Sequence, residues 1–536
     1  MQVMFLLKII NNRFFAPLIL IAFMLLFSFL NIEKTTIDPN DETLYLLAMK
    51  NVIPTWAPIY SKYFSLISLF TSDKLKIYDI SQVITCSVLW PLSLFYIIRA
   101  SGGTPLLGLL LSITLSIAKG AFVSFPHIHI FNLSILFLCY YWLYHRRSLF
   151  LKIIFFFLFG ASIYIRQDNY IIFGVFIVLV TIFEWRKWDL KGRLIHFFSP
   201  VIFMLGFGAL FLQWGSPFHD RVILAFKDHY IWRNPQIVSD HVKFNERYPK
   251  ASSLDKFIFN YPEDFKNHLT KNLLELPKRM MNSVSGNGIT IGSSRLTNLP
   301  TLIILIFVYL LSFLNRQYFL DFSQKDQSLN PFFIAIVAQG LNLALILQPF
   351  EKYLMGLNAT LFCFTIPNLL FKFSKQINFN FRFKSILNYC STITIITALS
   401  FQLFANDSSY YDLYGQKMRI IIHDISSNNI KKNKDLTLAI DHIFAYATPG
   451  EYYGLTINSY ISNYSNKRDF GDFLIERQIN LFCLMKEDLS WTPLSYIAGL
   501  KEVENFLSNY SKYGYYLVKF KPNSSGIMCL RRDNFK

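Results

Sequence analysis

The chain has 536 residues, of which 53% are hydrophobic, 17% aromatic and 16% charged, and its mean hydropathy is +0.34. Water-soluble domains carry about 25% charged residues, and none could bury as many long apolar runs as this chain contains. The formal net charge of +18 does not mark a nucleic-acid binder, because Lys and Arg sit mostly in short loops between apolar runs, with no basic stripe interleaved with aromatics.

In chain order, the first apolar run covers residues 15–30, after Lys8 and Arg13. No small-residue cleavage site follows it, so it reads as a signal anchor. Further runs cover 80–98, 105–122, 128–144, 149–165, 170–184, 195–213, 299–315, 331–349, 353–371 and 385–404. The expectation is a polytopic α-helical membrane protein of about eleven transmembrane helices. With the N-terminus inside, the cytoplasmic loops carry Arg99, Arg146, Arg147, Arg186, Lys187, Lys191, Arg193, Arg316, Lys325, Lys372, Lys375, Arg382 and Lys384. The short loops 166–169 and 350–352, on the other side, carry only Arg166 and Lys352. Residues 31–79 and 214–298 are then outer loops of a membrane region spanning 1–404, and 405–536 lies outside as well. This last segment alternates β-rich stretches such as "QINLFCLM" and "YGYYLVKFKP" with the helical "SYIAGLKEVENFLSNY", which predicts a small extracytoplasmic α/β domain. The implied location is the inner membrane of a bacterium, with the site on its outer face. Of six scattered cysteines only Cys483 and Cys529 are placed to pair, provided that domain is extracytoplasmic.

This topology gathers ionisable residues on one face: Asp38, Asp41 and Glu42 after the first run, Lys119, His127 and His129 at the next outer turn, Arg166 and Asp168 in "YIRQDNY", and Glu351 and Lys352 in "LQPFEKYL". Charges at membrane depth are costly and face a polar cavity or one another. Asp38, before Pro39, reads as a turn or cap residue. "HIHI" alternates with apolar residues and has no third ligand near it, so it reads as interfacial filling rather than metal ligation. The set suits transfer onto a hydroxyl or amine. One carboxylate can act as base, a second can hold a divalent cation (Mg or Mn), and Arg or Lys can neutralise a departing phosphate. No P-loop, GxGxxG or GxSxG motif is present. A lipid-linked phosphate donor fits the outer face better than a nucleotide.

"DETLYLLAMKNVI" after the first span, followed by the amphipathic "PIYSKYFSLISLF", resembles the first outer loop of the GT-C glycosyltransferase superfamily, which includes protein O-mannosyltransferases and the aminoarabinose transferases that modify lipid A. Asp41, Glu42 and Tyr45 match its D-E-x-x-Y pattern. "YIRQDNYIIF" resembles its Arg-Pro-Glu/Asp segment, with Gln167 where Pro is usual. "EKYLMGLNATLFCFTIP" resembles its "RYLLPLLP" segment, with Lys352 and Tyr353 in the Arg-Tyr positions. The resemblance implies that Asp41 is the catalytic base and that Glu42 binds metal or acceptor. It makes Arg166, Asp168, Lys352, Tyr353, Tyr45 and Lys119 candidates for holding donor phosphate or acceptor. The implied partners are a polyprenyl-phosphate sugar, a lipid, glycan or protein acceptor, and membrane lipids, with no nucleic acid. Two other classes share this layout. An O-antigen polymerase or ligase would rely on outer-loop residues such as His219, Arg221, His229, Arg233, His241 and Arg247. A transporter or flippase would show inverted repeats and Gly/Pro-broken spans, and no such repeat is seen.

Overall fold

A computed structural model of the chain describes residues 12–31, 58–71, 74–117, 128–145, 148–166, 168–184, 189–190, 192–194, 198, 218–234, 236–238, 241–285, 289–291, 294–296, 299–321, 330–347, 349, 351–374, 388, 390–398, 436–439, 451–452, 469–476, 478–479, 481–485, 497–517 and 527–532. The chain divides into two compact units. One holds Met1–Ile32, Gln82–Arg233 and Phe244–Asp407, and the other Glu33–Ser81, Asn234–Lys243 and Ser408–Lys536.

The N-terminal half contributes α1 (Phe15–Asn31), α2 (Pro58–Ile67), α3 (Lys74–Gln82), α4 (Trp90–Ala100), α5 (Pro105–Ser116), α6 (Ile128–Cys139), α7 (Leu149–Ala161) and α8 (Asn169–Glu184). Next come α9 (Phe218–Arg233), α10 (His241–Arg247), α11 (Leu254–Asn260) and α12 (Pro262–Ser285), then a short hairpin of β1 (Ile289–Ile291) and β2 (Ser294–Leu296). The apolar series resumes with α13 (Leu299–Leu314), α14 (Arg316–Phe319), α15 (Pro331–Ile346), α16 (Glu351–Ala359) and α17 (Ile366–Ser374). Among the described residues three π-helical stretches interrupt it: Val83–Leu89 joins α3 to α4, Tyr140–Tyr144 extends α6, and Thr360–Thr365 joins α16 to α17.

Among the described residues two helices are long and apolar enough to cross a membrane. They are Lys76–Ala100, of 25 residues, and Tyr353–Leu370, of 18 residues. Shorter apolar helices run over Phe15–Phe29, Pro105–Ser116, Ile128–Tyr144, Leu149–Tyr164, Asn169–Phe183, Thr301–Leu314 and Pro331–Ile346. Their outer faces are apolar: Leu18, Leu26, Phe29, Phe150, Val178 and Ile182 are all more than half exposed. A helix bundle in water turns polar faces outward, so these faces suit lipid.

The bundle's interior is aromatic. Tyr140 stacks on Phe332 with ring centroids 4.3 Å apart, and Phe137, Phe155, Phe159 and Phe176 are buried around the pair. Local chemistry sets where α15 begins. Asn330 accepts from the Phe332 N–H at 3.0 Å and Pro331 occupies the first turn, where a missing N–H costs nothing. The turn after α4 is stitched to the end of α14 through Thr104 N–H to Phe319 O (2.9 Å) and Asp321 N–H to Gly102 O (2.7 Å), beside an Arg99–Asp321 contact of 3.7 Å. Gly102 sits at φ 90°, which only glycine adopts without strain.

In the second unit a five-stranded mixed sheet has the order β4-β3-β5-β7-β6. Its strands are β3 (Leu436–Ala439), β4 (Glu451–Tyr452), β5 (Leu481–Met485), β6 (Tyr516–Leu517) and β7 (Ile527–Arg531). β3 pairs in parallel with β4 and β5, whereas β7 pairs antiparallel with β5 and β6. The register of β5 and β7 sets Cys483 directly opposite Cys529. Helices α18 (Phe470–Glu476) and α19 (Ile497–Asn509) share a core with the sheet, formed by Phe470, Phe473, Phe482, Val503, Phe506 and Leu530. Asp469 caps α18 by accepting from the Gly471 N–H at 2.8 Å. A side chain at Gly471 would collide with the Tyr513 ring.

Candidate functional site

A polar cluster forms where several helical elements of the first unit meet. The chain leaves α7 through a 3-10 turn, Ser162–Tyr164, and reverses over Arg166 to Asp168 before α8 starts at Asn169. The Asn169 N–H donates to the Arg166 carbonyl at 3.1 Å, closing that turn. The Asn169 side chain is fully buried. It exchanges two hydrogen bonds with Asn132 of α6 (2.8 and 2.6 Å) and donates to the Ser162 carbonyl at 2.8 Å. In an apolar bundle a buried amide has no water to turn to, so this reciprocal pairing fixes the turn between α7 and α8 against α6.

On that support stands a fork. Arg166 donates from Nε to Asp168 Oδ1 at 2.7 Å and from Nη2 to Oδ2 at 2.8 Å, with both side chains about 15% exposed. This is the bidentate geometry in which guanidinium and carboxylate bind each other best. Gln339, midway along α15, donates from Nε2 to the same Oδ2 at 2.5 Å. Arg166 Nη1 meets His129 Nε2. A guanidinium carries no acceptor, so His129 accepts there. The His129 ring lies edge-on to Tyr353 of α16, with centroids 5.2 Å apart. The Tyr353 hydroxyl stands 3.4 Å from His229 Nε2 on α9. His129, His229 and Gln339 are all buried.

Of the residues expected from the sequence, the structure brings Arg166, Asp168 and Tyr353 together. Lys352 lies on the first turn of α16 with its side chain outside what is described. Asp41, Glu42, Tyr45 and Lys119, with Asp38 and His127, lie outside the described residues. His129 belongs to the cluster through Arg166 rather than filling an interface. Gln339, Asn132 and Asn169 were not anticipated. Their signal was an amide among apolar residues in each of the runs "FIAIVAQ", "IHIFNLSIL" and "DNYIIFGVF", which is costly in an apolar bundle without a partner.

The described part of the cluster does not make a cation site. Among the described residues there, Asp168 is the carboxylate present, and its two oxygens already accept from Arg166 and Gln339. No group of three or more His, Cys, Asp or Glu residues able to hold a metal occurs among the described residues.

No protein-family model matches the chain, and no curated protein matches it. Among solved structures it is similar to the Archaeoglobus fulgidus oligosaccharyltransferase, solved in complex with zinc and sulfate. The identity is 13%, over 94% of this chain and 72% of that one, with a TM-score of 0.45. It is also similar to the arabinofuranosyltransferase AftD from mycobacteria, at 10% identity over 97% of this chain and 40% of that one, with a TM-score of 0.40. This chain thus spans less than half the length of that enzyme. At these scores the likeness lends no residue a role.

Proposed function

We propose that the protein is an integral membrane glycosyltransferase that moves a sugar from a polyprenyl-phosphate-linked donor to a lipid, glycan or protein acceptor on the extracytoplasmic face. The observation that carries this reading is the Arg166–Asp168 fork, recessed among apolar helices and held by His129 and Gln339 beside Tyr353. An apolar bundle retains such a charged pair where a polar substrate group must be received.

The fork also constrains how a phosphate would be held. Asp168 already balances the Arg166 charge, so Arg166 orients a phosphate while Lys352 supplies the net positive charge. Asp41 is the base that takes the proton from the acceptor hydroxyl or amine as the donor's glycosyl–phosphate bond breaks, and Glu42 orients the acceptor.

Lipid analysis of cells lacking the protein tests the proposal. An accumulated polyprenyl-phosphate sugar, or a surface glycan missing one residue, is the expected result, and unchanged lipids and glycans would sink it. His229 favours a second reading, since it comes from the 214–298 segment on which an O-antigen polymerase or ligase would depend. Asp41→Asn separates the two, because only the first reading needs that carboxylate.

A further inference from the structure

Helix α12 begins in the polar segment between the apolar runs, yet it does not stay there. His268 Nε2 lies 3.0 Å from the carbonyls of Ile346 and Leu347, and Asn272 Nδ2 donates to Leu345 O at 2.8 Å, so this part of α12 caps the end of α15. Eight residues later Asn358, two turns inside α16, donates to the Met280 carbonyl at 3.2 Å. Between these anchors Leu276 packs with Ala344, Leu354 and Leu357, and Met280 lies against the same cluster with Val337 and Leu341. The C-terminal half of α12 therefore runs alongside the last turns of α15 and the first two turns of α16.

The other side of that stretch is apolar and uncovered. Leu273 is 55% exposed and Leu274 77%, with Pro277 exposed beside them, and Lys266, Lys271 and Lys278 are exposed along the helix. Glu275 and Arg279 do not interrupt the apolar strip. Glu275 is engaged by Arg233 at 2.6 Å, and Arg279 lies 3.7 Å from the same carboxylate. A helix bathed in water would place polar groups where Leu273 and Leu274 stand. A strip of Leu flanked by lysines, level with the outer turns of membrane-crossing helices, matches lipid tails below anionic headgroups.

We infer that α12 seats its Leu273–Leu274 face in the outer leaflet, its lysines reaching lipid phosphates, so that residues 214–298 are partly a membrane-embedded element rather than a free loop. This rests on the reading of α15 and α16 as parts of membrane spans.

The test uses the full chain in vesicles of phosphatidylethanolamine and phosphatidylglycerol, with the photoreactive residue benzoylphenylalanine replacing Leu274, Asn267 or Leu26 in turn. Lipid adducts read by mass spectrometry are expected at 274 and 26 and not at 267, and the phosphatidylglycerol share at 274 should fall in a Lys271→Glu/Lys278→Glu variant. A lipid adduct at 26 with none at 274, cross-links from 274 into protein, or equal labelling at 274 and 267 would overturn the inference and leave the membrane reading standing. No lipid adduct at 26 would overturn both.

Discussion

Gln339 and Arg166 donate to the same Asp168 oxygen, at 2.5 and 2.8 Å, although 173 residues separate them in the chain. That carboxylate is the point on which α15 and the turn between α7 and α8 agree. Its loss is therefore felt in both stability and activity.

Asp168→Asn should leave the Arg166 charge largely buried without its counter-charge and destabilise the fold by about 3 kcal/mol. The double variant Arg166→Met/Asp168→Leu removes both charges and should unfold later than the single one, while remaining inactive. Thermal unfolding of the purified protein checks the order, and an Asp168→Asn protein as stable as wild type would contradict the buried fork.

Asp41→Asn keeps size but removes the proposed base, and should lower transfer by a factor of about 10² to 10⁴ with expression intact. Asp38→Asn should cost far less. Transfer of sugar into the surface glycan is the readout, and near wild-type transfer by Asp41→Asn would end that assignment.

Acid should weaken the seam between α12 and α15 before it reaches the nearby ion pair. Burial pushes the His268 pKa down, the Ile346 and Leu347 carbonyls partly oppose it, and the Arg233 and Lys271 charges add to the fall. Its neutral ring donates Nε2–H to those carbonyls, and Nδ1 is buried with no partner among the described residues. The unfolded chain, with His near 6.5, takes the proton first. Stability from this group is thus full above about pH 6.5 and is lost as pH falls through the lower folded value. Glu275 titrates in another window. Burial opposes its charge, but Arg233, Arg279 and Lys278 outweigh burial and hold its pKa low. Its contribution is present above about pH 4.3 and is lost only as pH falls through its folded value. Melting curves between these limits should flatten in His268→Gln and not in Glu275→Gln.

Cys483 and Cys529 are register partners in the backbone pairing of β5 with β7. Residues directly opposite in an antiparallel ladder have Cα atoms about 4.5–5.5 Å apart, inside the range that disulfides span. In an oxidising outer compartment, non-reducing peptide mapping should find the two peptides linked. Free thiols at both positions in freshly isolated membranes would argue against an extracytoplasmic C-terminal region.

The apolar runs foretold the helices that follow them among the described residues, because a long apolar run can be read without knowing what it packs against. Arg166 and Asp168 were legible for a similar reason: a charged pair two residues apart at the head of an apolar run is conspicuous. Gln339, Asn132 and Asn169 were not, since each is a single polar letter whose meaning depends on a helix far away in sequence. The alternation of His129 with isoleucines says nothing of the arginine it meets. His229 lies in a segment with no strong periodicity, and only packing of α9 brings it to Tyr353.

The π-helical stretch Thr360–Thr365 separates two ends of one helix that answer to different neighbours. Above it, Tyr353 is oriented by the polar cluster. At the stretch itself, Phe364 stacks on Phe333 with centroids 3.8 Å apart, and the Tyr309 hydroxyl donates to the Phe362 carbonyl. A π turn holds one residue more than an α turn, and one residue is about 100° of rotation. Deleting a single residue here would let an ordinary α-helix join the same two faces, whereas forcing the full sequence into α geometry would swing Ile366–Ser374 about a quarter-turn away from its packing partners. The helix is thus phased twice, once from each end, and the extra residue is the slack that lets both phases hold.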